Sequence, residues 1–357
     1  MLSTLPVRIA LTLLLALAGA LACSWLRTPI PWMIGPLVVT SVASILGLPT
    51  RSYGPFRNVG QWLIATALGL YFTPAVMQLV AGLWWAIALG IVWALGLGWG
   101  FGAWLHRLHA SRIAATPQEQ RATTYFAGAI GGASEMTLLA EREGGRTDLV
   151  AAAHSLRLLV VTLVIPFSLT FVGVHGLDAT LPGPGKVNWA GLGMLLVATG
   201  TGAWLMQRTR RANPWFMGAL IVAMGITMSG VELSALPGWA TNAAQLLIGI
   251  SLGVRFSAEF VKTAPGWLGS VLIGTLVMIA LCAGFAVLLA GMTGLHWATM
   301  ILGTSPGGIA EMAITAKVLQ LGVPVVTAFQ VVRLVAVLIL VEPLFLWIRR
   351  RGGGLSP

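Results

Sequence analysis

The sequence predicts an all-α, polytopic membrane protein made of two tandem copies of one unit. Composition, the succession of apolar runs and internal repetition carry that reading. Of 357 residues, 57% are hydrophobic and only 9% are charged, whereas a soluble domain has about a quarter of its residues charged. Apolar runs of about 18 to 25 residues follow one another from Leu5 onward, each long enough to cross roughly 30 Å of hydrocarbon as a helix.

The net charge of +11 is scattered singly or in small groups between these runs. That pattern fits a positive-inside membrane protein better than a basic nucleic-acid module. Cys23 and Cys282 lie far apart within apolar runs, so neither a disulfide framework nor a cysteine metal site is supported. Arg8 before a Leu/Ala-rich stretch resembles a signal peptide. The run has a counterpart later in the chain and is read as a retained helix.

Repetition is the strongest signal. Pro31-Trp32-Met33-Ile34-Gly35 returns as Pro214-Trp215-Phe216-Met217-Gly218. The stretch from Gln61 to Phe72 returns from Gln245 to Phe256. Gly131-Gly132-Ala133-Ser134-Glu135-Met136 returns as Gly307-Gly308-Ile309-Ala310-Glu311-Met312, and Arg157-Leu158 returns as Arg333-Leu334. The spacing shortens by about seven residues between the early and late matches, which puts an insertion in the polar loop from His106 to Arg121, where indels are tolerated. Residues 176–186, with Pro182-Gly183-Pro184-Gly185, read as a linker. The boundary falls near Leu181, giving repeats 1–180 and 181–357.

Each copy supplies six apolar segments: residues 6–26, 30–48, 58–80, 82–105, 122–141 and 148–174, then 188–207, 214–232, 240–261, 266–291, 295–319 and 324–348. The fifth of each carries the Gly-Gly pair and a glutamate in its middle, unlike a lipid-facing span. If all twelve cross, Arg208, Arg210 and Arg211 fall opposite Arg51, Arg57 and Arg349 to Arg351, against the positive-inside rule. If the fifth segments are re-entrant, there are about ten spans and both termini are cytoplasmic. Arg51, Arg57, Arg107, Arg112, Arg121, Arg142, Arg146, Arg208, Arg210, Arg211, Lys262 and Arg349 to Arg351 then lie inside, leaving Arg27, Lys186 and Lys317 outside. An odd number of spans per copy inverts one copy against the other, as in secondary transporters. A broken but crossing fifth segment is the alternative, and it would make the copies parallel.

The candidate substrate or ion site is the pair of breaks, Gly131-Gly132 and Pro306-Gly307-Gly308. Backbone freed at membrane depth is tolerated only when buried in protein or lining a wet cavity. A half-helix starting after the break favours anions at its N-terminus. Ser134, Thr304 and Ser305 offer hydroxyl ligands, and Glu135 and Glu311 suit a coupling cation or proton. Close helix packing on small residues is the competing explanation of the glycines. Arg157 and Arg333 lie in apolar runs, where a central charge costs about 2.5 to 3.5 kcal/mol. Each is expected either to pair with a motif glutamate, the favoured reading, or to bind an anionic substrate. Gln61 and Gln245 occupy equivalent positions and suit substrate contact or, preferably, hydrogen bonding across helices. Pro31-Trp32 and Pro214-Trp215 read as first-turn prolines with interfacial tryptophans. Asp148 reads as a helix cap, and His154, aligned with Gln330, as a packed helix histidine or a proton relay.

No catalytic motif, cofactor or metal site is predicted. His106 and His109 lack a further ligand at metal spacing, and no nucleotide, hydrolase or zinc-protease sequence occurs. Two tandem membrane copies, each with Pro-Trp near a helix start and Gly-Gly-x-x-Glu-Met later, resemble the AbrB family of membrane proteins over essentially the whole chain. That resemblance implies regulation of gene expression and, through a second family label, ammonia monooxygenase activity. An oxygenase would need clustered His and carboxylate ligands, and a direct transcription factor a soluble basic module. The residues themselves favour a secondary transporter in the inner membrane, for a small solute such as an organic anion, coupled to protons or sodium. A membrane sensor acting through a partner and a monooxygenase are the alternatives. The expected partners are the lipid bilayer and a small molecule or ion, with a homodimer compatible and no direct nucleic acid.

Overall fold

The structure is a computed structural model that describes residues 5–113, 116–174, 186–209, 213–256 and 264–352. The linker 176–185 with its boundary near Leu181, and Arg210, Arg211 and Lys262, lie outside the described residues. Every regular element described is an α-helix. In chain order these are α1 Leu5–Trp25, α2 Pro31–Ile45, α3 Gly54–Gly69, α4 Pro74–Gly82, α5 Trp84–Ile113, α6 Pro117–Gly128, α7 Ala133–Arg142 and α8 Thr147–Phe171. The second copy supplies α9 Trp189–Arg208, α10 Pro214–Met228, α11 Gly238–Gly253, α12 Pro265–Thr293, α13 Trp297–Thr304, α14 Ile309–Val318 and α15 Val323–Gly352.

Among the described residues six helices, α1, α5, α8, α9, α12 and α15, are individually long and apolar enough to cross a membrane. Helices α2 and α10 are apolar but shorter, at 15 residues each. Segment 58–80, expected as one helix, is bent by 92° between α3 and α4. Thr73-Pro74 explains the bend, because proline cannot continue a helix and restricts the residue before it. The expected loop from His106 is instead helical as far as Ile113, since no breaker occurs before Thr116-Pro117. Thr116 caps α6 through its hydroxyl, with Pro117 in the first turn.

The chain forms two compact units, and each draws on both sequence copies. The first comprises residues 1–82, 162–263 and 309–327; the second comprises 83–161, 264–308 and 328–357. The first unit has an internal two-fold pattern. Helix α1 packs on α2 as α9 packs on α10, while α2 packs on α11 as α3 packs on α10. The sequence reason is small residues at equivalent crossings. A Cβ at Gly35 would overlap the Gly19 carbonyl, and one at Gly218 would overlap the Gly202 carbonyl. Gly69 lies against Ala223 as Gly253 lies against Thr40, the same contact with the copies exchanged. Close backbone approach of this kind holds helices together where the hydrophobic effect gives no help. Both Pro-Trp motifs begin their helices after a left-handed residue, Ile30 at φ 47° and Asn213 at φ 45°, and both prolines occupy the first turn.

The second unit is centred on an aromatic and aliphatic core that includes Phe101, Phe126, Met136, Val271 and Phe345. Helix α5 packs on α6, and α12 on α13 and α5. Gly128 sits directly over the Gly102 backbone, bringing the end of α6 against α5. Tyr125 and Trp267 spend their polar atoms on carbonyls, those of Val341 at 2.9 Å and Leu149 at 3.1 Å, as buried tyrosine and tryptophan require.

Gly35→Ala and Gly218→Ala are each expected to destabilise the protein by about 1–3 kcal/mol through overpacking. Gly96→Ala, where nothing lies within 4 Å of an added Cβ, is expected to leave the thermal midpoint unchanged or raised. Thermal unfolding in detergent checks this, and equal midpoints for the three variants would contradict the close-crossing account.

Candidate functional site

The fifth segment of each copy is broken at the same place. In the first, α6 ends at Gly128 and α7 starts at Ala133; in the second, α13 ends at Thr304 and α14 starts at Ile309. The residues after each first half are extended, Ala129 at ψ 139° and Ser305 at ψ 150°. The half-helices are 12, 10, 8 and 10 residues long, each well short of the roughly 20 residues a spanning helix needs. A helix end leaves its last carbonyls without intrahelical donors, and in hydrocarbon each such group costs several kcal/mol (order of magnitude) unless satisfied.

In the first copy those donors come from α8. Arg157, only 3% exposed, donates from Nη1 to the carbonyls of Ala127 at 3.4 Å and Gly128 at 3.2 Å, and from Nη2 to that of Ala129 at 2.8 Å. His154 Nε2 meets the Phe126 carbonyl at 2.8 Å. A carbonyl only accepts, so the proton is assigned to Nε2, and Nδ1 is left to accept from Arg157 Nη2 at 2.7 Å. Residues three apart on a helix share a face, which is why one turn of α8 serves the whole break.

The second copy repeats the device with a different residue. Gln330 Nε2 donates to the Leu302 carbonyl at 2.7 Å and to that of Ser305 at 3.3 Å. Arg333 donates to the carbonyls of Ser305 and Gly307 and to Gln330 Oε1. Gln330 thus stands where His154 stands, with an amide in place of an imidazole. Every group in both arrangements belongs to the second compact unit.

This geometry corrects the favoured reading of the two arginines. Neither pairs with Glu135 or Glu311: among the described residues the ion pairs are Arg146–Asp148 and Arg349–Glu143. The freed carbonyls are the nearer acceptors, and the partial negative charge at a helix C-terminus attracts a guanidinium. His154 is a hydrogen-bonded helix histidine. Asp148 lies in the first turn of α8, paired with Arg146 at 2.6 Å, rather than at the cap position before it.

The motif glycines make local room. A Cβ on Gly132 would collide with Glu135 Oε2, and one on Gly131 would come within 2.7 Å of Met136 Cε. Glu135 lies partly exposed in the first turn of α7 and Ser134 is exposed. Thr304 and Ser305 are buried and turn their hydroxyls back onto the carbonyls of Met300 at 2.8 Å and Leu302 at 3.3 Å. Pro306 is buried, and Gly307 and Gly308 are half-buried.

Glu311, Gln61 and Gln245 fall in the first unit. Glu311 is 6% exposed, in the first turn of α14, a helix packed on α3. The cations that act on it are Arg57 and Arg255 of the same unit, two residues that the sequence reading did not place at the site. Arg255 stands where the first copy has Tyr71, an asymmetry visible in the repeat once the match is written out. Gln61 Nε2 reaches Asn213 Oδ1 of the other copy at 3.5 Å, and Gln245 is buried in α11. His106 and His109 take separate partners, Thr124 at 3.3 Å and Ser270 at 2.8 Å. Among the described residues no three His, Cys, Asp or Glu side chains form a metal-holding group.

Arg157→Met removes donors to three buried carbonyls, each worth about 1–3 kcal/mol when left unsatisfied. It is expected to lower the unfolding midpoint far more than Arg146→Met, whose pair is exposed and worth about 0–1 kcal/mol. His154→Gln, which imitates the second copy, is expected to be tolerated. Thermal unfolding in detergent distinguishes these outcomes; an Arg157→Met protein as stable as the wild type would contradict the capping role.

Residues 32–349 match the family described as "Transition state regulatory protein AbrB". The chain is similar to YhjN of Bacillus subtilis (strain 168), with 23% identity over 356 residues that cover 92% of this chain and 90% of the relative. It is similar also to a protein of Escherichia coli (strain K12) named as a regulator, AbrB, with 25% identity over 341 residues and 92% of each chain covered. No solved structure matches. With the match running from the first Pro-Trp motif into the last turns of the last long helix, the chain belongs to the AbrB family.

Proposed function

We propose that the protein is a secondary transporter that carries a small solute across the inner membrane. The observation behind this reading is that both copies break the fifth segment at the same position and hold the freed carbonyls with a buried arginine. A helix that only faced lipid would gain nothing from such a break, whereas discontinuous helices at the interface of repeats are the usual substrate and ion sites of secondary transporters. In this reading the copies are inverted, about ten segments span, the broken segments are re-entrant, and both termini are cytoplasmic. Glu135 and Glu311, each in the first turn after its break, carry the coupling proton or sodium ion. The two-fold packing in the first unit, with α2 and α3 exchanging partners with α11 and α10, supports a mechanism in which equivalent elements of the two copies alternate.

The name of the Escherichia coli relative favours a second reading, a membrane sensor that affects gene expression through a soluble partner. A transporter that changes the level of a metabolite reaches the same outcome indirectly. Co-purification of a stoichiometric soluble protein from membranes would support the sensor.

In proteoliposomes, gradient-dependent flux of small acids is expected from the wild type, with Glu135→Gln and Glu311→Gln each reducing flux at least tenfold. Absence of flux for every solute tested, or full flux in both variants, would overturn the reading. Single cysteines placed at the two ends of residues 117–142 are expected to label from one membrane face, and likewise for 297–318. Labelling from opposite faces would make the segments crossing and the repeats parallel.

A further inference from the structure

The end of α9 carries an arginine that the packing of the first unit does not use. Arg208, exposed in the last turn, lies with its guanidinium carbon 4.1 Å from the centroid of the Trp204 ring. Residues four apart on a helix share a face, and the ring offers a flat platform to the planar cation. Beside this pair, Gln207 Oε1 accepts the indole N–H of Trp215 at 3.0 Å, which ties the start of α10 to the end of α9. Among the described residues the N–H groups of Arg208 have no hydrogen-bond or ion-pair partner.

The charge is not balanced by neighbours in the chain. No Asp or Glu occurs in residues 179–231, whereas Arg208, Arg210 and Arg211 follow one another closely. The stacked pair is not needed to hold the helices together either. At the spacing that relates Pro31 to Pro214, Leu21 stands in place of Trp204 and Trp25 in place of Arg208. Helices α1 and α2 make the same close glycine crossing as α9 and α10 without that pair, and Trp25 is 83% exposed.

Position narrows the choice of occupant. Helix α9 has 20 residues, about 30 Å at 1.5 Å per residue, which is the thickness of the hydrocarbon layer. Trp189 at its start and Trp204 near its end, both exposed, stand at the two edges where tryptophan is enriched. Leu205, also exposed, continues the apolar flank beside Trp204. An acidic soluble protein would meet the charge and leave this flank uncovered, whereas a phospholipid covers both.

We propose that Arg208, stacked on Trp204, binds the phosphate of an anionic phospholipid whose acyl chains run along Trp204 and Leu205. The planar fork of a guanidinium matches two phosphate oxygens. The ring holds that fork in place beforehand, so less side-chain freedom is lost on binding. Three neighbouring arginines favour a lipid of net negative charge over a zwitterionic one. The proposal depends on the membrane class of the chain and not on the transport reading.

The test titrates the full chain in detergent with phosphatidylglycerol and with phosphatidylcholine of the same acyl chains, and counts bound lipid by native mass spectrometry. Phosphatidylglycerol is expected to bind several-fold more tightly to the wild type. Arg208→Gln is expected to weaken that binding about fivefold, the effect of one basic residue at a membrane surface. Trp204→Leu, which imitates the first copy and removes the platform, is expected to weaken it about threefold. Arg112→Gln, which removes an exposed charge of the second unit, is expected to change it less than twofold. Equal affinity in wild type and Arg208→Gln, equal affinity for the two lipids, or a loss in Arg112→Gln as large as in Arg208→Gln would overturn the site. Competition by inorganic phosphate at the lipid's own concentration would assign Arg208 to a free anion and overturn the lipid.

Discussion

In hydrocarbon, a carbonyl that leaves its helix has no water to accept from, so a break must bring its own donors. The second unit is organised around that requirement. Arg157 and His154 come from one turn of α8, and Arg333 and Gln330 from one turn of α15, each pair reaching the end of a half-helix. A guanidinium suits the task because its donors are fixed in a planar fork and it stays charged. The arginine gains as well, since the carbonyl ends it binds carry the partial negative charge that a buried cation needs.

Glycine has separate jobs in the two units. In the first, Gly19 with Gly35 and Gly202 with Gly218 bring backbones into contact and fix helix pairs. At the first copy's break, Gly131 and Gly132 instead leave space for the side chains of Met136 and Glu135, which fold back over them. In the first copy the spelling Gly-Gly-x-x-Glu-Met therefore has a local reason: the residues three and five positions after the second and first glycines, respectively, occupy the volume that a Cβ would fill. This keeps the Glu135 carboxylate at the start of α7, where a negative charge is favoured. Glu311 differs in its surroundings, with Arg57 and Arg255 acting on it, so the copies are equivalent in backbone and unequal in charge.

Much of this was legible in advance because membrane helices are written in long runs and breaks in glycine and proline. The break positions, the first-turn prolines and the equivalence of His154 with Gln330 all follow from local pattern and repetition. The bend after α3 was less visible, since apolar character continues through Thr73-Pro74 and hides it. The extension of α5 through His106 and Arg112 was hidden by polarity, which suggests a loop although no residue there breaks a helix. The arginines were misread for a simple reason. A carboxylate is the obvious partner for a buried cation in a sequence, whereas carbonyls freed by a break are present at every residue and marked by none.

The sequence by itself determined the membrane class, the duplication and the places where each fifth segment stops being helical, because hydropathy, repetition and Gly-Gly or Pro-Gly-Gly act over a few neighbouring residues. Only the tertiary structure decided that the compact units draw on both copies and that Arg157 and Arg333 bind backbone rather than glutamate. Those outcomes depend on which helices pack together, and contacts between residues far apart in the chain leave no local signature.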